Sequence, residues 1–95
     1  MSEKIIIGKH EFEGVKISTA KSNILIIHCD RGFLGCGYFD MSVAERLGDC
    51  AAVVTGVKSF EDMLAAAVVR LSPAAAARGI KVGMAGRDAL EAMVR

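Results

Sequence analysis

Tryptophan is absent from this chain, proline occurs once, and the aromatic complement is four phenylalanines and one tyrosine. So few rings argue against the stacking platforms that hold single-stranded nucleic acids. An excess of charge of one sign is missing too, since 12 lysines and arginines stand against 11 acidic residues, for a formal net charge of +1. That balance supplies no basic stripe for a phosphate backbone, and no nucleic-acid partner is expected. Long apolar runs are also lacking. The alanine-rich stretch 64–77 is broken by Arg70 and Pro73, well short of the roughly 20 apolar residues that span a bilayer, so no membrane partner is expected. The N-terminus turns polar too soon for a secretory signal. The three cysteines include no Cys-x-x-Cys pair, and an odd count fits reduced thiols better than a disulfide frame or a zinc site. Walker, Rossmann and catalytic-triad signatures are missing. These absences place the protein in the cytoplasm, with no cofactor and no metal.

What is present is apolar. Residues 1–95 form a single domain of a size that folds without a staple, and 53% of them are hydrophobic, above the roughly 45–50% usual for soluble domains. Alanine and valine make up much of the surplus. It reads either as an alanine-padded core or as surface covered by another copy, and a homo-oligomer, with a dimer favoured, is expected on the second reading.

The N-terminal half has the chemistry of strands. Ile5, Ile6 and Ile7 are β-branched and favour extended backbone. Val15 and Ile17 alternate with Lys16 and Ser18, the pattern of a strand wetted on one side. Ile24 to Ile27 run without a polar break, which predicts a central strand covered on both faces. After Asp40 the signals change to helix and strand in turn. Ser42-Val43-Ala44-Glu45 has capping-box spacing and Gly48 suits a helix stop. Ala51 to Thr55 reads as a short central strand. Ser59 opens a helix with Glu61 and Asp62 in its first turn, Val68 to Leu71 can form a brief strand, and Ser72-Pro73 opens a third helix. Leu90, Met93 and Val94 stripe the last one. The fold class is therefore α/β (mixed α+β), an N-terminal antiparallel β-meander continued by βα units, with the helices packed on one sheet.

The stretch from Asp30 to Asp40 joins these halves. Asp30-Arg31-Gly32 predicts a three-residue hairpin loop closed by a left-handed glycine. That register sets Cys29 opposite Phe33 and Ile26 opposite Cys36, with His28 a same-face diagonal neighbour of Cys36. The next strand is expected to run from Phe33 to Tyr38. Gly32, Gly35 and Gly37 leave room there for a helix, a second subunit or a ligand to approach the backbone.

Gly32 to Gly37 with Asp40, then Gly56-Val57, then Gly79-Ile80-Lys81-Val82-Gly83-Met84-Ala85-Gly86-Arg87-Asp88-Ala89-Leu90 together resemble the YunC-like family, small prokaryotic proteins of unknown function. The resemblance covers nearly the whole chain and implies an α/β fold without naming a chemistry.

Function is thus read from the residues. The expected role is an uncharacterised cytoplasmic module that self-associates or binds a small ligand such as an anion. Its site is expected where Gly35 and Gly37 meet the closing block, with Gly83 and Gly86 exposing N–H groups at a helix start and Arg87 adding a fork of donors. Asp88 in the same turn has a competing role as a helix cap. The alternative is a small cysteine-dependent enzyme with Cys36 as nucleophile and His28 or Asp40 as its partner. Against it stands the commoner role of a free cysteine, a small buried hydrophobe.

Overall fold

The computed structural model describes residues 2–95. Its elements are β1 (Ser2–Ile7), β2 (His10–Ser18), β3 (Asn23–Cys29), β4 (Gly32–Gly35), α1 (Met41–Leu47), β5 (Ala51–Val53), α2 (Phe60–Ala65), β6 (Arg70–Leu71), α3 (Pro73–Ala77) and α4 (Gly86–Met93). The strands form one sheet in chain order, β1-β2-β3-β4-β5-β6. The first four are antiparallel neighbours, β4 and β5 are parallel, and β6 returns antiparallel to β5. A mixed α+β fold with the helices packed on one sheet is what the residue pattern predicts.

One sheet face carries the core. Ile5 and Ile7 of β1, Phe12 of β2, Leu25 and Ile27 of β3, Leu34 of β4 and Ala52 of β5 meet Phe60 and Met63 of α2, Ala75 of α3, and Ala89, Leu90 and Met93 of α4. The opposite face is covered over only part of its width. Ala51 and Val53 alternate with Ala52 and therefore point the other way, where α1 lies against β5 with Ala44 buried. Phe39, just before α1, lays its ring over Gly35 and packs against Phe33 with centroids 5.5 Å apart. On this side β1 carries exposed side chains, β2 exposed and half-buried ones, and β3 half-buried ones.

Four expectations are corrected here. The hairpin loop has two residues, because Gly32 pairs with Cys29 and Ile27 with Leu34. Gly32 is not left-handed; a Cβ there would lie 2.5 Å from the Cys50 carbonyl oxygen, so close approach of β5 explains the glycine. The following strand ends at Gly35 instead of Tyr38, as the Phe39 N–H turns back to the Cys36 carbonyl at 3.2 Å. The N-cap of α1 is Asp40, whose carboxylate accepts from the Ser42 N–H at 2.9 Å and the Ser42 hydroxyl at 2.8 Å. Those bonds hold the Asp40 carboxyl below its ordinary pKa of 3.8.

The fourth correction concerns which side of the early strands is dry. β2 turns Phe12 and Gly14 to the core and Val15 and Ile17 outward, so Ile17 is 55% exposed. Gly14 makes this possible, since a Cβ there would lie 2.7 Å from Ile5 and 2.9 Å from the Phe60 ring. β3 is covered on one face only, with Ile24 and Ile26 half-buried on the other.

Candidate ligand site and interaction face

Two features of this architecture could carry function, and both follow from where the helices go. α1 leaves β4 toward one face of the sheet, while α2 leaves β5 toward the other. Parallel neighbours whose connections diverge in this way open a crevice at their carboxyl ends, the usual ligand position in open α/β sheets. Here the crevice encloses about 420 Å³, within the roughly 300–1,000 Å³ of small-molecule sites. Cys36, Gly37 and Tyr38 line it from the β4 side, Gly56, Val57 and Lys58 from the β5 side, and Ser22 and Asn23 from the turn between β2 and β3.

Cys36 forms the floor of this crevice and is 5% exposed. Its Sγ accepts a hydrogen bond from the Leu25 N–H at 3.3 Å, and its own N–H donates to the Leu25 carbonyl at 3.1 Å. Leu25, not Ile26, is therefore its neighbour on β3. His28 lies on the opposite sheet face, paired to Phe33 in register and 3.1 Å from Glu13. The shortened loop separates them: with Cys29 opposite Gly32, Cys36 shares the core face of Leu25 and Leu34 while His28 shares the outer face. Asp40 is exposed and occupied by Ser42. The chain thus brings neither His28 nor Asp40 into contact with the Cys36 thiol as a base.

The expected glycines also divide between two places. Gly37 lines the crevice, and Gly35 lies beneath Phe39. Gly83 and Gly86 are elsewhere, their N–H groups committed to the Val68 carbonyl at 2.8 Å and the Ala66 carbonyl at 2.9 Å. A Cβ on Gly86 would overlap the Met63 carbonyl and press on Leu34, so this glycine lets α4 seat on α2 and β4. Arg87 is exposed beside Glu61, Leu64 and Ala65. Residue pattern alone does not single out Ser22, Asn23 and Lys58, because three separate loops converge on the crevice. Gly56-Val57 was visible only as part of the family-like pattern.

The second feature is the bare sheet face. Ile6 is 58% exposed there opposite Glu11, and toward the other end of β2 Ile17 is 55% exposed among the half-buried Val15, Ile24 and Ile26. Lys4 lies 3.6 Å from Glu11 on it, and the Glu13 carboxylate lies 3.1 Å from the His28 imidazole. Among the described residues, no group of three or more histidine, cysteine or acidic side chains could hold a metal ion, and no helix is long and apolar enough to cross a membrane. On the core side, burial pushes the Cys50 thiol pKa up against the opposing pull of Arg78.

Relatives share this architecture. The chain is 34% identical over 95 residues to the uncharacterised protein YunC of Bacillus subtilis, an alignment spanning 96% of this chain and 94% of that one. A crystal structure of a protein of unknown function from Thermoplasma acidophilum superposes with a TM-score of 0.94 at 32% identity, covering 98% of this chain and 91% of the other. Residues 35–93, from the end of β4 through α4, match the family described as a domain of unknown function, DUF1805. The chain therefore belongs to the DUF1805 family, to which its glycine pattern and its closing Gly-Met-Ala-Gly-Arg-Asp-Ala-Leu block had pointed.

Proposed function

We propose that this protein is a cytoplasmic, non-enzymatic module that works as a homodimer and binds a small ligand. The observation that carries the dimer is the outer sheet face. Val15, Ile17, Ile24 and Ile26 are cross-strand neighbours on it, Ile17 55% exposed and the other three half-buried. An apolar run such as Ile24-Leu25-Ile26-Ile27 is the signature of a strand buried on both sides, and a second molecule can supply the second side here.

A second copy fits better than a charged partner, because Lys4 and Glu11 offset each other at 3.6 Å and Val15, Ile17, Ile24 and Ile26 carry no charge for a strongly charged surface to answer. A two-fold axis lets the same patch serve both subunits. The reduced state of the cytoplasm suits three unpaired cysteines. Sedimentation at micromolar concentration is expected to give twice the 10.0 kDa chain mass, and Ile17→Glu to give a folded monomer. A monomeric parent would overturn the dimer.

The enzyme alternative keeps one observation in its favour, the position of Cys36 in the crevice. Iodoacetamide separates the readings: a module leaves Cys36 slow to react, whereas an activated thiolate reacts rapidly below pH 8.

A further inference from the structure

We infer that the crevice between the β4 and β5 loops binds a small anion through a phosphate or carboxylate group. The inference rests on the ligand-binding half of the reading above and is independent of the dimer. Four backbone N–H groups at the crevice, those of Gly37, Tyr38, Gly56 and Val57, donate no hydrogen bond among the described residues. Gly56 has φ +71°, and successive N–H groups around a left-handed residue form the concave nests that take anions. Lys58 is exposed and adds the one full positive charge of the lining.

The neighbouring carboxylates are already committed. Asp62 accepts from the Lys58 N–H at 3.0 Å, and Asp40 accepts from the N–H and hydroxyl of Ser42. Neither supplies a ready internal anion for the loop donors, in contrast to α4, where Gly83 and Gly86 spend their N–H groups on chain carbonyls. The turn before β3 closes the third side, with the Asn23 side-chain oxygen accepting from Ser18 at 3.3 Å. That bond directs the amide oxygen to Ser18 and leaves its NH₂ as a donor. The crevice therefore combines loop N–H groups, an ammonium and an amide, and an anionic oxygen satisfies all three.

Titration of the protein with inorganic phosphate and, separately, with succinate tests the site, read by backbone amide NMR shifts. The expected result is saturable movement at Gly37, Tyr38, Gly56 and Val57 with at least one of the two anions. Whichever anion binds more tightly identifies the group recognised. Lys58→Gln, an exposed position, is expected to weaken binding about tenfold, as loss of a charge-assisted contact does, with the ligand-free melting temperature unchanged. Gly37→Ala tests the crevice sterically, because its Cβ would make only an ordinary 3.4 Å contact with Thr55 while narrowing the lining. The monomeric Ile17→Glu variant is expected to bind as the parent does, so a failed dimer leaves the anion result standing. No saturable shift with either anion, shifts centred away from these four amides, or parental affinity in Lys58→Gln would each overturn the site.

Discussion

At the scale of single residues, the glycines of this chain are mostly places where something else passes close by. Helix propensity alone favours alanine over glycine by up to about 1 kcal/mol at Gly86. The structure reverses the sign, because a Cβ there overlaps the Met63 carbonyl, which belongs to backbone and cannot swing aside. Gly86→Ala is therefore expected to destabilise the protein by about 1–3 kcal/mol through overpacking. Urea denaturation checks this, and a variant more stable than the parent would refute it. Gly32 obeys the same logic against Cys50. A pattern search reads such a residue as a turn, yet its φ is not positive, and the hairpin register changes as a result.

At the scale of elements, the starts of helices were the most legible feature, and their tertiary uses the least. Ser59 caps α2 through the Asp62 N–H at 3.1 Å, as its spacing implies. Ser72 caps α3 through the Ala75 N–H at 3.3 Å, but it also accepts from the Ala51 N–H at 3.0 Å and donates to the Asp49 carbonyl at 2.6 Å. One fully buried hydroxyl thus ties the start of α3 to β5. Ser72→Ala is expected to cost about 2–3 kcal/mol, more than an exposed cap, because buried backbone groups lose their partner along with the helix. Thermal melts of Ser72→Ala beside Ser59→Ala make the comparison, and equal losses would show that the link to β5 contributes nothing. At α1 the cap moved from Ser42 to Asp40 because both residue types suit the position and only the path of the chain after Phe39 chooses between them.

At the scale of the whole molecule, the sheet has more apolar surface than its own helices cover. α2, α3 and α4 occupy one face, α1 and Phe39 cover β4 and β5 on the other, and the outer side chains of β1 to β3 are exposed or half-buried. If a second copy covers them, folding and association are linked, and stability depends on protein concentration by mass action. A tenfold rise in concentration is then expected to raise the melting temperature by about 4 °C, taking the usual unfolding entropy per residue for a chain pair of this size. Calorimetry at two concentrations reads this directly, and Ile17→Glu is expected to abolish the dependence. A concentration-independent parent would count against a dimer that forms with folding.

The order and type of the elements were legible in the sequence by itself, because β-branched runs, helix caps and the proline of α3 act over a few neighbouring residues. So were the full burial of β5 and the family pattern of the chain's glycines. Tertiary structure alone decided which side of β2 faces the core, since Gly14 yields its space to Ile5 and Phe60, residues that lie far away along the chain. It also separated His28 from Cys36: the two-residue hairpin puts them on opposite faces, and no local signal distinguishes that loop from a three-residue one when its glycine is kept for β5. The crevice was hidden for the same reason. Its walls come from three loops, and they meet only because α1 and α2 leave a parallel strand pair in opposite directions.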